Sequence, residues 1–467
     1  MKRWLVPALL VVVGLVAAVE QVRQGESATA LGTPGAGGAV WGLYVVADGF
    51  LVGASLSALL FAGGVRLLRR RAWEDAAVVA TAVATIGLAL SALCVLADSG
   101  RPLRTLTVLP LVGRAQSPFF GTFTLVVGAS LSTSLLQTLL AVRARIGFWG
   151  WQNTPAEHWR RERSAFWLSL FTLPLAVLGL VIMASVFAAR PGRPPLVEAL
   201  ELASFVVLAA ASGLALLALV LAAAGRLTVV RPLARALLLL AATGLLLVVA
   251  SENAAVHSAW PAARRYGIAV CSGDWRIAFW LQLVLLLAAG AALWLQLWRR
   301  SLSWRGLRLW SAVILVAVFI HREVQLVAWQ THGLGLSYPA GRYSPTWIEI
   351  GVTVGIFGLG VLLFWGSLRL LPAGAPAPAI AVPLAPVSCS RRALTLALVG
   401  LGAVMATLGL ALSAHWGVER FSDPRVPGSP LLFLGGLVTM AVAALPYELL
   451  RDRAPAVIQT ESQSARG

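Results

Sequence analysis

About a dozen long apolar runs, almost free of charge, dictate the solvent in which this chain must fold. A bilayer's hydrocarbon core is crossed by roughly 20 apolar residues of helix. Backbone groups in lipid must pair internally, so runs of this length can only be transmembrane helices. They read as twelve spans, at 4–19, 39–63, 76–97, 118–142, 165–188, 197–224, 229–251, 276–298, 308–328, 346–370, 391–415 and 430–449. The chain is 12% charged with a mean hydropathy of +0.83, against about 25% charged for a soluble domain. The expected fold class is therefore an all-α integral membrane protein with about twelve transmembrane helices. Lys2 and Arg3 before the short first run also suit a signal peptide; no clean Ala-x-Ala site follows, and the run reads as a retained helix.

A formal charge of +18 would suggest nucleic acid in a soluble protein. Here the basic residues collect in loops, and about two-thirds of them fall on the side of the N-terminus. The positive-inside rule places both termini in the cytoplasm. The expectation is a multi-pass protein of the bacterial cytoplasmic membrane, with the lipid bilayer as partner and no nucleic acid. Cys94, Cys271 and Cys389 lie far apart, with no CxxC or CxxCH spacing. Of the five histidines only His321 and His415 come near span interiors. No haem, iron–sulfur cluster or other metal site is expected in the chain.

One linker divides the sequence. PAGAPAPAIAVPLAP, from Pro372 to Pro386, has the composition of a semi-rigid extended spacer. The chain divides into a functional unit at 1–371, a Pro/Ala-rich linker at 372–390, a transmembrane hairpin at 391–449 and a polar cytoplasmic tail at 450–467.

Function is sought where polar residues interrupt the apolar runs, because an intramembrane charge costs about 2.5–3.5 kcal/mol on insertion scales. Tyr44 and Asp48 are four apart and share one helix face. With the second span beginning at Ala39, Asp48 falls near mid-depth, as a proton-accepting carboxylate or a structural one bonded to a neighbouring helix. Asp98 and Arg101, in DSGRP, read either as a functional pair or as an ion pair at a turn. Gln137 reads as a ligand donor or as interhelical glue. Glu198 and Glu201 suit a first helical turn and its dipole. His321-Arg322-Glu323 are three adjacent ionisable residues from which an internal Arg–Glu network is expected. Ser344 as N-cap and Pro345 at the first helical position mark a helix start; Glu349 sits deeper than a cap needs, so its carboxylate suits a polar cavity.

The same stretches carry a resemblance. WGLYVVADGFLVGASLSALL (41–60), DSGRP (98–102), LPLAVL (173–178), ARPGRPPLVEAL (189–200) and YSPTWIEIGVTVGIFGLGVLLFWGSLRLLP (343–372) resemble, in order, segments of the polysulfide-reductase membrane subunit family, also called NrfD-like. The resemblance covers roughly 1–372 and is to its ten-span branch, here with two further helices. It implies two four-helix bundles side by side with flanking helices. It also implies a quinone (menaquinone or ubiquinone) as cofactor near the outer face. The partners implied there are an iron–sulfur ferredoxin-like subunit and a catalytic or cytochrome subunit. Carried over by residue, Trp41, Tyr44 and Asp48 line the quinone pocket or its proton route. Asp98 and Arg101 shape the outer loop, and Arg322 and Glu349 belong to the second bundle's polar interior. Where relatives carry a histidine this chain has LAVLGLVIM (175–183), near Gly179, and where they read Asn-Arg-x-Asn it has His321-Arg322-Glu323-Val324. His321 then stands as a relocated proton acceptor.

The expected function is a quinone-interacting membrane subunit of a respiratory oxidoreductase, with Asp48 and His321 as its acid–base groups and Trp41, Tyr44, Asp48, Asp98, Arg101, Gln137, Arg322 and Glu349 lining the cofactor. A membrane anchor that has lost the quinone, and a polytopic transporter, are the alternatives. Transporters often show two matching halves, and none is legible here.

Overall fold

The computed structural model describes residues 2–31, 39–70, 73–99, 123–146, 155–188, 193–223, 230–333 and 343–371, with isolated positions between 397 and 405. The expected linker and tail, Arg101, and all but those isolated positions of the expected C-terminal hairpin lie outside these residues. The helices are α1 (Lys2–Gln24), α2 (Leu43–Leu67), α3 (Glu74–Asp98), α4 (Thr124–Ile146), α5 (Pro155–Ala188), α6 (Pro195–Ala223), α7 (Val230–Val256), α8 (Pro261–Cys271), α9 (Arg276–Trp298), α10 (Trp304–Glu323) and α11 (Trp347–Leu370). A π-helical segment, Val324–Gly333, continues α10. There is no strand among the described residues. Among them, nine helices are long and apolar enough to cross a membrane, and α4 carries a shorter apolar stretch, Val126–Val142. Each of the ten spans expected before residue 371 has its helix.

Packing closes two rings. Helix α2 packs on α3, α3 on α4, α4 on α5, and α5 back on α2; in the same way α6 packs on α7, α7 on α9, α9 on α10, and α10 on α6. The result is two four-helix bundles, with α1 and α11 paired on the flank against α3 and α2. The most apolar stretch of α2 is 89% buried, that of α1 only 17%. Helix α2 is therefore the central post, and α1 faces lipid. Because the helices alternate in direction, the starts of α2, α6 and α11 and the ends of α3, α7 and α10 meet at one end of the molecule, the site end.

Small residues hold the bundles together. A Cβ on Gly213 of α6 would sit 2.6 Å from the Ala54 carbonyl oxygen of α2, and one on Gly53 would sit 3.1 Å from the Ala209 methyl. Without a hydrophobic drive between helices in lipid, such close backbone approach is what brings them together.

Several element ends differ from expectation, for local reasons. Helix α2 starts at Leu43, after Gly42, so Trp41 lies before the helix and Asp48 is its sixth residue, about 8 Å in at 1.5 Å per residue. Asp48 is thus nearer the site end than mid-depth. The cap of α11 is Thr346, whose hydroxyl accepts from Glu349 N while Glu349 accepts from Thr346 N, a complete capping box; Ser344 and Pro345 precede it. Helix α8, too short to span and opened by Pro261, was not anticipated.

Replacing Gly213 by leucine should cost about 1–3 kcal/mol, as overpacking does, and lower the thermal midpoint in detergent. Gly128→Leu in α4, where nothing lies within 4 Å of the new Cβ, should leave it unchanged.

Candidate functional site

The first polar group at the site end lies between α2, α3 and α1. Ser91 Oγ of α3 donates to Asp48 Oδ1 at 2.5 Å, and Asp48 Oδ2 is buried with no hydrogen-bond partner. Tyr44, one turn before Asp48, donates its phenol to Gln21 Oε1 of α1 at 2.7 Å, and Gln21 Nε2 donates to the Ala97 carbonyl at 2.7 Å. Ser91, Cys94 and Asp98 follow at helical spacing along α3. Cys94 is fully buried, and Asp98 Oδ1 is buried without a partner. Both Cys94 and Asp98 lie near enough to Asp48 to interact with it electrostatically. The arrangement leaves one carboxylate oxygen unused, fixed in place through its twin.

The start of α11 completes this end. Glu349 Oε2 accepts from Ala30 N and Thr346 N, both at 2.9 Å, and Oε1 accepts from the Tyr343 phenol at 2.8 Å. Tyr343 in turn accepts from Leu43 N at 2.7 Å. Burial, with the Glu349 carboxylate beside it, pushes the Tyr343 phenol up, so it remains a donor. Every Glu349 oxygen is therefore engaged in fastening α11 to the starts of α2 and of the segment after α1. The expectation that Glu349 belongs to the second bundle is corrected: α11 packs on α1 and the first bundle, and the carboxylate caps a helix.

The second polar group fills the site end of the second bundle. Arg193, just before α6, donates through Nη1 to Glu201 Oε2 at 2.9 Å. The Gln325 amide donates to the same oxygen at 3.0 Å and accepts from Arg322 Nη1 at 3.1 Å. Arg322 Nη2 reaches the Phe205 carbonyl at 2.7 Å, its guanidinium 3.5 Å from the Phe205 ring centre. Tyr266 of α8 donates to Glu252 Oε1 of α7 at 2.9 Å and faces Glu201 Oε1 at 3.5 Å. Arg193 also lies over Trp329, 4.3 Å from its ring centre. Arg322 is thus in the second bundle, as the resemblance implied. The expected internal Arg–Glu network is present, but its acid is Glu201 rather than Glu323, bonded directly to Arg193 and joined to Arg322 through Gln325.

Other expected residues fall elsewhere. Gln137 accepts from Arg66 Nη1 at 2.5 Å and donates to Thr172 at 3.3 Å. Arg66 is eighteen residues along α2 from Asp48, about 27 Å, so the structure places Gln137 at the opposite end, joining α2, α4 and α5. His321 is buried with neither ring nitrogen hydrogen-bonded. Trp41 acts through its backbone: its N donates to Gln330 Oε1 at 2.9 Å and its carbonyl accepts from Gln330 Nε2 at 3.0 Å, tying the π-helical segment to the start of α2. Sequence reasoning missed Ser91, Arg193, Glu252, Tyr266 and Gln325. Glu252 carried the signal that singled out Asp48, an acid in an apolar run, but the expected span ended one residue short of it.

A family model described as polysulphide reductase, NrfD, matches residues 33–332. The chain belongs to the NrfD polysulphide reductase family. Both polar groups, apart from Gln21 on α1, lie inside the matched stretch; Glu349 lies beyond it. The chain is also similar to a Halobacterium salinarum protein provisionally named as a membrane subunit of dimethyl sulfoxide reductase, with 28% identity over 415 residues, 81% of this chain and 92% of that one. For this NrfD-family chain the buried Arg193–Glu201 pair gives a direct test. Arg193→Met should cost about 3–5 kcal/mol by leaving a buried carboxylate uncompensated. The Arg193→Met/Glu201→Gln double variant should recover part of that loss in detergent unfolding.

Proposed function

We propose that this chain is the membrane subunit of a reductase complex, exchanging electrons between a quinone of the bilayer and an iron–sulfur partner subunit at the site end. The observation that carries the reading is Asp48: a buried carboxylate with Oδ1 fixed by Ser91 and Oδ2 without a partner. A quinone supplies a two-electron, two-proton couple. The chain's own part is to hold and move the protons, and a base must lie within hydrogen-bond reach of the group it deprotonates. Asp48 Oδ2 can accept a quinol hydroxyl without giving up the Ser91 bond. Tyr44 orients the wall through Gln21, and Asp98, on the same face of α3 as Ser91, lies between Asp48 and the helix end.

The membrane context, the family and the name of the Halobacterium relative support a subunit of a larger complex. On this reading the catalytic or cytochrome subunit docks beyond the iron–sulfur subunit, and both termini face the cytoplasm of a bacterial cell. A second reading, an anchor without quinone, is favoured by one observation. At Gly179, near the expected family histidine, a Cβ would meet the Leu56 Cδ1 methyl at 2.7 Å, so Leu56 of α2 occupies the space beside α5 and would have to shift for a larger side chain.

The test is purification of the tagged protein in mild detergent, with mass spectrometry of its partners and extraction of bound quinone. A stoichiometric iron–sulfur partner with quinone is expected. Asp48→Asn should keep the partner and lose about 10²-fold or more of quinol-dependent electron transfer, the usual worth of a positioned base. A partner without quinone would favour the anchor, and a solitary protein would overturn both readings.

A further inference from the structure

The second bundle encloses two carboxyls for which the proposed electron exchange has no use. Glu201 is 3% exposed and Glu252 5% exposed, and Tyr266 between them is fully buried. The three come from α6, α7 and α8, so no single helix accounts for their meeting. Their hydrogen bonds are unequal. Glu201 Oε2 receives Arg193 and Gln325, two donors of which one is charged. Glu252 receives only the Tyr266 phenol, and its Oε2 has no partner. Nor is Arg322 available to it, being held by Gln325 and the Phe205 carbonyl. Arg193 Nε and Nη2 and Trp329 Nε1 are likewise buried without acceptors beside the pair.

We propose that Glu201, Tyr266 and Glu252 form a proton-binding site inside the second bundle, in which the two carboxyls hold a single proton that resides on Glu252. The reason is the sharing of one phenol. Tyr266 has a single proton to donate, and its phenol oxygen lies 2.9 Å from Glu252 Oε1 and 3.5 Å from Glu201 Oε1. Two carboxyls brought together out of water do not both ionise when one of them lacks a cation and enough donors. Among the described residues, the charged and titratable groups bearing on Glu252 are Glu201 from α6, Arg193 before it, Tyr266 from α8 and Cys271 at the end of α8. Only Arg193 of these is a cation, and its Nη1 donates to Glu201 and to the Phe187 and Ala188 carbonyls, not to Glu252. A neutral Glu252 can accept from Tyr266 and offer its own proton from Oε2, whereas an ionised one leaves a buried charge with a single neutral donor. The inference rests on these contacts and not on quinone binding.

Infrared spectroscopy of the purified full-length protein at neutral pH, in water and in deuterium oxide, decides it. A carbonyl band of a protonated carboxylic acid is expected, moving in deuterium oxide, absent in Glu252→Gln and retained in Asp48→Asn. In Tyr266→Phe the band should persist and shift, since its hydrogen-bond donor is gone. A wild-type spectrum with no such band, or a band that Glu252→Gln leaves untouched, would overturn the proposal. Should Glu252→Gln fail to fold, Tyr266→Phe decides alone: an unshifted band counts against the site.

Discussion

A polar group in the hydrocarbon core finds no water, and that constraint organises this molecule. Away from the helix ends the backbone amides are satisfied within their own helix, so side chains are left to choose a direction, and the costly polar ones turn inward. The two closed rings of four helices provide the interiors. Asp48 meets Ser91 across the α2–α3 contact, and Glu201 meets Arg193, Gln325 and Tyr266 across α6, the π-helical segment and α8. Lipid-facing surfaces are left to residues such as Leu239, Leu246 and Ile277, each more than two-thirds exposed. The central position of α2 follows from the same rule: glycine, alanine and serine along it admit α6 and α3 backbones on opposite sides, so one helix serves both bundles.

Apart from the short α8, the helices before residue 371 were legible because each carries a long apolar run, which depends on composition and little else. Their ends were less so. A cap is decided by one hydrogen bond, and Thr346 takes it although Ser344 and Pro345 make the more familiar start. The pairing of helices into rings cannot be read from composition; it entered the sequence reading through the family resemblance, and the packing bears it out.

The candidate site was legible only where an acid interrupts an apolar run at helical spacing from another polar residue, as with Tyr44 and Asp48. Residues whose meaning depends on a partner distant in sequence were invisible. Glu201 looks like an ordinary acid of a first helical turn, and Gln325 like one more amide in a helix; across 124 residues they make one network. Gln137 shows the converse, a polar residue on a membrane helix whose partners, Arg66 and Thr172, give it a structural job at the far end.

The two bundles also share an arrangement that residue identities conceal. In each, the opening hairpin carries one acid in the second turn of its first helix, Asp48 or Glu201, and another near the end of its second, Asp98 or Glu252. What differs is the company. Asp48 has a hydroxyl, while Glu201 has a guanidinium, an amide and a phenol. The first environment leaves Asp48 one oxygen without a partner; the second engages Glu201 on both oxygens and leaves Glu252 with one unpartnered. Gln330 joins the two, bonding the segment that carries Trp329 and Gln325 to the backbone just before α2. The start of α2 is thereby bonded to the π-helical segment, which also supplies Glu201 with its Gln325 partner.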